Sequence, residues 1–276
     1  IGPQEGFNAA VQAATSDIDI FWCEAESRTV SRNLDGVHAL VDASMQVRVS
    51  AALLAGAQNL EVISTATTGS DHIEQEVLRE RGIALYTLRE DKEFMRNITP
   101  AAEHSWMLLM TLAGQLIPAL VSVKAGMWER EDYPSVMLRG KLLGLVGCGR
   151  IGQWMARYGQ AFGMTIIGHD PYVTPWPPEI RSVSLDKVFE TSDFISVHVH
   201  LSKETTGLID ENLFLKVKPG SIIINTSRGG VIDEQALLEA LKCDRLAGAG
   251  LDVLQGEPDI ENHPLVEYSR RERNLL

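Results

Sequence analysis

Six residues in the middle of the chain constrain its fold more than any bulk property: Gly147-Cys148-Gly149-Arg150-Ile151-Gly152. They follow Lys141-Leu142-Leu143-Gly144-Leu145-Val146, a nearly continuous apolar run of the kind that forms a strand buried on both faces. They open a segment, 150–162, in which Ile151, Trp154, Met155, Tyr158 and Phe162 recur at helical spacing. In a strand–G-x-G-x-x-G–helix arrangement the first glycine permits a tight turn, the second lets backbone approach a pyrophosphate, and the third lets helix and strand pack closely. The pyrophosphate then rests on the positive N-terminus of the helix, here at Arg150 and Ile151. Glycines are common in turns, so the motif alone is weak and its context matters. Thr165 to His169 reads as the next strand, and Asp170 closes it 18 positions after Gly152. An acid there is placed to hydrogen-bond the adenosine ribose hydroxyls and to repel a 2′-phosphate. Taken alone, Asp170 is as readily a surface residue before the Pro171 turn. The order strand, glycines, helix, strand favours a dinucleotide, and NAD over NADP.

The periodicity around this motif is regular. Strands are predicted near 142–147, 165–169, 194–199, 221–225 and 246–251, with helices between them that include 150–162 and 234–241. The first hundred residues alternate in the same way. Strands are expected at Asp17–Trp22, Val37–Val41 and Leu60–Ser64, and helices at Val49–Ala57 and Ile73–Arg81. From Ala101 to Lys124 the residues Trp106, Leu109, Met110, Leu112, Leu116 and Leu120 mark a long helix that Pro118 should kink or divide. The expected architecture is α/β, with two Rossmann-like or flavodoxin-like doubly wound parallel-sheet domains. The chain is expected to divide into residues 1–100 and a dinucleotide-binding domain at 101–276, although the long helix between them could equally pack inside one domain, and 276 residues suit either one large domain or two.

Each later strand ends on polar residues: His198, then Asn225-Thr226-Ser227-Arg228, then Asp252. In an open parallel sheet these carboxyl ends form the ligand crevice. Arg228 precedes Gly229-Gly230, where flexible backbone lets a side chain turn into that crevice. Its guanidinium can grip a carboxylate through paired hydrogen bonds and polarise a neighbouring carbonyl. Glu257, in Gly256-Glu257-Pro258, could orient a histidine, although on its own it reads equally as a turn carboxylate.

Composition excludes several partners. A net charge of -12 and a pI near 5.1 argue against nucleic acid and anionic membrane surfaces. No apolar run approaches a membrane span of ~18 residues. Cys23, Cys148 and Cys243 are far apart and odd in number, which gives no metal site or disulfide framework and suggests the reducing cytoplasm.

Several segments resemble the D-isomer-specific 2-hydroxyacid dehydrogenases, the family of phosphoglycerate, glycerate and D-lactate dehydrogenases. The likeness is strongest in the glycine motif, in "DFISVHVHLSKETTGLI" (193–209), in "KPGSIIINTSRGGVIDE" (218–234) and in "GAGLDVLQGEP" (248–258). It continues through "NITPAAEH" (97–104) and "TTGSDHI" (67–73), so it covers nearly the whole chain. The resemblance implies hydride transfer between NAD and C2 of a small D-2-hydroxy or 2-oxo acid, in a homodimer joined through the nucleotide domain. Arg228 matches the arginine on the substrate carboxylate and keto oxygen, and Glu257 the acid that hydrogen-bonds the catalytic histidine. Asp252 matches the residue holding the nicotinamide carboxamide. Thr205 and Thr226 match cofactor contacts, His198 is expected to meet NAD through its backbone, and Thr68-Gly69 match the loop whose N–H groups cradle the substrate carboxylate.

The sequence also departs from the family pattern. His200 stands where proline is usual. Thr65 occupies the place of a phosphate-binding arginine, which argues against a phosphorylated substrate unless Arg89, Lys92 and Arg96 compensate. The family's catalytic histidine follows a strand resembling Asn274-Leu275-Leu276, so the general acid is expected just beyond Leu276 and the sequence is expected to be a fragment at both ends. His72, His169 and His200 have no carboxylate partner suggested by sequence. His104 is expected to pack at a domain interface, and His263 lies nearest to Glu257. The rival reading is a non-catalytic NAD-sensing protein resembling the family's corepressors. It is disfavoured because Arg228, Glu257 and Asp252 occur together, whereas a sensor needs only the cofactor set.

Overall fold

The computed structural model describes residues 1–2, 5, 7–8 and 18–276. They divide into two compact units, Ile1–Ile98 and Thr99–Leu276.

The second unit is built on a six-stranded, all-parallel sheet. Its strands are β4 (Leu142–Val146), β5 (Thr165–His169), β6 (Arg181–Ser182), β7 (Phe194–Val197), β8 (Ser221–Asn225) and β9 (Leu246–Leu251). The order across the sheet is β6-β5-β4-β7-β8-β9, so the chain winds outward in both directions from β4 and reverses between β4 and β7. Helices α6 (Arg150–Ala161), α7 (Leu185–Thr191), α8 (Glu211–Lys216) and α9 (Glu234–Lys242) connect the strands. β8 and β7 are buried along their whole length, because helices cover both faces of the sheet. One face packs Val188, Phe189, Leu213, Phe214, Leu237 and Leu241 against the strands, with Phe189 and Phe214 edge to face at 6.3 Å. Opposite, Met155 and Ala156 of α6 pack with Leu109 and Ala113 of α4 (Pro100–Ala113). Helices α7, α8 and α9 start on side-chain caps that accept first-turn N–H groups, Ser184, Asp210 and Asp233. At the far edge Asn274 to Leu276 pair with β9, through Ala249 N–H to Asn274 O at 2.8 Å and Leu251 N–H to Leu276 O at 2.8 Å.

The long helix expected over 101–124 is divided, but not at Pro118. It breaks at Gly114-Gln115, where Gln115 takes a left-handed φ of 47°, into α4 and α5 (Leu116–Lys124), whose axes differ by 60°. Pro118 therefore falls in the first turn of α5. No intrahelical partner is available to an N–H there, so the missing donor costs nothing.

The first unit carries a parallel three-stranded sheet, β1 (Ala39–Asp42), β2 (Val62–Thr65) and β3 (Ala84–Thr87), in that order. Leu40, Val49, Leu54, Ile63 and Leu78 form its core with Val30 of α1 (Ser27–Asn33). Two expectations fail here. Asp17 lies outside the described residues, and residues 18–22 form no strand. Ile1 already pairs with the free side of β1, giving N–H to Val41 O at 2.7 Å and accepting from Ala43 at 2.8 Å. Nor is Val49–Ala57 a helix. Val49 is held extended beside Ile73, donating to His72 O at 2.8 Å and accepting from Glu74 N–H at 2.9 Å, so that only Leu53–Gly56 turns, as a 3-10 segment. The same bridge delays α2 to Gln75–Arg81.

The tightest polar junction of this unit joins the end of β1 to the loop after β2. Asp42 is fully buried, and its Oδ2 lies 2.8 Å from His72 Nε2. Its Oδ1 accepts from the N–H and hydroxyl of Ser44 at 2.9 and 2.8 Å. Burial alone would raise this carboxyl. The bonds from His72 and Ser44 overcome that and hold it down at about 2. A depressed carboxyl stabilises the fold above its unfolded value and loses that contribution as pH falls through the folded one. In urea titrations the first unit should therefore lose about 2 kcal/mol between pH 4 and 2. Asp42→Asn should be weaker at pH 7 and lack this component. An unchanged acid profile in the variant would contradict the assignment.

Candidate cofactor and substrate site

The loop between β4 and α6 shows why three of its residues are glycine. Gly147 has a φ of 95°, and a Cβ on it would lie 2.6 Å from His198 O. A Cβ on Gly152 would lie 2.3 Å from Gly147 O, so the first turn of α6 sits directly on the loop that precedes it. Gly149, the N-cap of α6, is the opposite case: a Cβ there meets nothing within 4 Å. Two glycines are thus required by close packing, and the third leaves open space at the N-terminus of a twelve-residue helix. That is the cradle a pyrophosphate needs, and the residues present fit NAD at this point.

Asp170 fixes the loop from the side. Its Oδ2 accepts Cys148 N–H at 2.9 Å, while Oδ1 accepts Tyr172 N–H at 2.9 Å and Val173 N–H at 3.1 Å. A carboxylate has about four acceptor positions, so one remains for a ribose hydroxyl. The Cys148 thiol is buried, and burial together with the charge of Asp170 pushes it up to about 12, which makes it a neutral packing group.

The remaining sequence-predicted residues fall along the carboxyl ends of β7, β8 and β9. His198 Nε2 lies 2.8 Å from the hydroxyl of the buried Ser196, and burial drives the imidazole down to about 3, so it stays neutral. Its carbonyl, against Gly147, is the part that shapes the loop. Thr205 uses its hydroxyl within its own turn, giving to His200 O at 2.6 Å and accepting Ser202 N–H at 2.7 Å. Asn225, 1% exposed, organises the next loop: its Oδ1 takes Ser227 N–H at 3.0 Å and its Nδ2 reaches Arg228 O at 3.0 Å. The Arg228 guanidinium donates to Ser227 O at 2.7 Å. Thr226 and Asp252 stand side by side, since Asp252 N–H donates to Asn225 O at 3.0 Å. Helix α4 reaches both with consecutive residues. Ser105 Oγ meets Thr226 Oγ1 at 2.7 Å, and His104 Nε2 meets Asp252 Oδ1 at 3.1 Å.

Glu257 accepts Leu254 N–H at 3.1 Å. Its loop is anchored by Glu234 on α9, which takes Gln255 N–H at 2.8 Å on one oxygen and meets His263 Nε2 at 2.9 Å on the other. His263 Nδ1 accepts Leu265 N–H and caps α10 (Pro264–Ser269). The imidazole nearest to Glu257 in sequence is therefore committed at both nitrogens.

In the first unit Thr68 and Gly69 lie in the loop after β2, and Thr67 Oγ1 donates to Gly69 O at 2.7 Å. Among the described residues no acceptor takes the Thr68 or Gly69 N–H. Beside them is a hollow of about 370 Å³ lined by Thr68, Ser70, Gln75, Thr87, Arg79 and Arg89. Among the described residues no cluster of three or more metal-ligating side chains occurs.

Sequence reading passed over three of these residues. Asp42 gives His72 the carboxylate partner that sequence did not suggest. Glu234 and Ser105 bond across separations that no local pattern reports, which for Ser105 and Thr226 is 121 residues, and the pairing of His104 with Asp252 was likewise not foreseen.

Comparison with known proteins agrees with this geometry. Residues 4–90 match the catalytic domain of the D-isomer specific 2-hydroxyacid dehydrogenases, and residues 106–272 match the NAD binding domain of the same family. The chain belongs to that family. It is 35% identical over 266 residues to the D-3-phosphoglycerate dehydrogenase of Mycobacterium leprae, an alignment that takes in 95% of this chain and 49% of that protein. It thus spans about half the length of this relative, or less of others. Among solved structures, the D-lactate dehydrogenase of Aquifex aeolicus complexed with NAD and lactic acid matches with a TM-score of 0.81 and 26% identity. An acyclic imino acid reductase in complex with NADPH and D-Arg matches with 0.82 and 25%. Both alignments cover all of this chain and 85% of the other.

The glycine cradle makes a direct prediction. Gly152→Ala should weaken NADH binding at least tenfold, measured by fluorescence titration, and lower the stability of the second unit by about 1–3 kcal/mol, because backbone must move to admit the methyl group. Gly149→Ala, which meets no neighbour, should leave stability nearly unchanged. Equal stability losses in the two variants would contradict the packing argument.

Proposed function

We propose that the protein is an NAD-dependent oxidoreductase acting at C2 of a small D-2-hydroxy or 2-oxo acid. The observation that carries this reading is the joint placement, on the carboxyl edge of one doubly wound sheet, of a glycine cradle at β4 and an arginine held by Asn225 at β8. NAD supplies the two-electron acceptor or donor when bound. Thr226 and Asp252 then flank the nicotinamide, and Asp170 faces the ribose.

Arg228 binds the acid. Its paired donors hold the carboxylate and the C2 oxygen, and its charge stabilises the oxygen as negative charge grows there. In the first unit the unclaimed N–H groups of Thr68 and Gly69 suit a carboxylate, with Arg79 and Arg89 adding positive charge beside them. That second cationic pair supports a substrate with a further anionic group, in spite of Thr65. Glu257 is the carboxylate that would orient the histidine transferring the proton. His198 is held neutral, and His263 is spent on Glu234 and α10, so neither suits the role.

A homodimer formed through the second unit fits the surface of α5. Leu116, Ile117, Leu120, Val121 and Val123 are all exposed there, with Trp128 just beyond at 78% exposure, an apolar patch that solvent disfavours. Among the described residues no single helix is long and apolar enough to cross a membrane. The three cysteines are free, as suits the cytoplasm.

The test is turnover of NADH with a panel of 2-oxo acids, with and without a phosphate group, in the full-length protein. Arg228→Lys should lower kcat/KM about a hundredfold or more, since lysine lacks the paired-donor fork, while NADH affinity stays within about threefold. Loss of NADH binding in this variant, or no turnover by the wild type with any acid, would contradict the proposal.

A further inference from the structure

His104 lies on the first turn of α4, and the 3.1 Å contact of its Nε2 with Asp252 Oδ1 is a pairing that the dinucleotide reading did not call for. The two side chains are 38% and 52% exposed, so the pair sits at the mouth of the crevice. Its place in the sheet is fixed from both sides. Ser105, the next residue on the helix, is fully buried and bonds Thr226 at 2.7 Å, while the backbone of Asp252 is bonded to Asn225. The helix cannot withdraw His104 without also breaking the Ser105 bond to β8.

We propose that His104 is a positioning residue for Asp252 that also sets the preference of the site between oxidised and reduced cofactor. This rests on the NAD reading above, in which Asp252 accepts from the nicotinamide carboxamide. A carboxylate only accepts, so an imidazole N–H on Oδ1 leaves Oδ2 for the amide and fixes which oxygen is presented.

The redox preference follows from charge. The nicotinamide ring carries a positive charge in NAD⁺ and none in NADH, while the adenosine and pyrophosphate are the same in both. With His104 neutral, Asp252 offers a net negative charge that favours the oxidised ring. With His104 protonated, the pair is neutral overall and that preference is lost. Histidine side chains as a class change charge between pH 5 and 8. Helix α4 packs against α5, α6, β8 and β9. The other charged or titratable groups on these elements and their strand ends are Glu103 on α4, Lys124 on α5, Arg150, Arg157 and Tyr158 on α6, and Arg228 after β8. Guanidinium groups keep their charge throughout this range, carboxylates as a class are ionised above pH 6, and lysine and tyrosine side chains as a class titrate above the range. Burial and the charge of Glu103 raise Tyr158 further.

The experiment is fluorescence titration of the wild-type chain with NADH, and displacement by NAD⁺, from pH 8.5 to 6. The ratio Kd(NAD⁺)/Kd(NADH) should rise as pH falls, by about fivefold, the upper end for a pair open to water. Contributions common to the two cofactors cancel in this ratio. His104→Gln keeps an N–H donor but cannot gain charge, so its ratio should be flat with pH. A flat wild-type ratio overturns the proposal without any variant, and a retained slope in His104→Gln overturns it equally. Absence of any NADH binding would fell the NAD reading and this inference with it, whereas normal binding with a flat ratio would remove the inference alone.

Discussion

The approach of Gly152 to the carbonyl of Gly147 is the contact on which the second unit depends. A methyl group at that point would stand 2.3 Å from the oxygen, so α6 can begin where it does only because the side chain is absent. The start of α6 in turn sets where Met155 and Ala156 meet α4, and α4 brings Ser105 and His104 to the ends of β8 and β9. A change at one backbone contact would therefore be felt at the far side of the crevice, through packed helices rather than through any direct bond.

The loops that carry the proposed chemistry share one construction. In each, a side-chain acceptor gathers donors from a loop that would otherwise hang in solvent. Asp170 collects Cys148, Tyr172 and Val173; Asn225 collects Ser227 and also grips the Arg228 carbonyl; Glu234 collects Gln255 and His263; Asp42 collects Ser44 and His72. None of these acceptors needs to touch a ligand to matter, because each fixes the backbone of its loop. The neutral His198 beneath the glycine loop is a variation on this, a buried polar ring that supports the loop through its carbonyl.

Much of this architecture was legible in the sequence wherever the signal is local. The continuous apolar runs at 142–146 and 221–225 read correctly as buried strands, and the glycine spacing located the crevice. Reading failed where a distant partner decides the local state. Val49 is extended because His72 and Glu74 claim its backbone, and residues 18–22 form no strand although their apolar pattern suggests one. Pro118 was recognised as a breaker, yet the break moved to Gly114-Gln115 because the first turn of a helix tolerates proline. At the site, Arg228 and Asp170 were singled out by residue type and place in the motif, and the structure puts both at carboxyl ends of strands. The bonds that hold the neighbouring loops, from Asn225 to Arg228, His104 to Asp252 and Glu234 to Gln255, declare themselves only in three dimensions.

Affinity for NADH against NADPH tests the central claim most directly, since it reads the glycine cradle and Asp170 together without requiring turnover. The carboxylate of Asp170 is fixed beside the loop by three backbone N–H groups, so it cannot easily swing away from a 2′-phosphate. Parallel fluorescence titrations should give a Kd for NADH at least tenfold lower than for NADPH, and Asp170→Ala should close most of that gap. Equal affinities in the wild-type protein, or a preference for NADPH, would contradict the placement of the dinucleotide on this edge of the sheet.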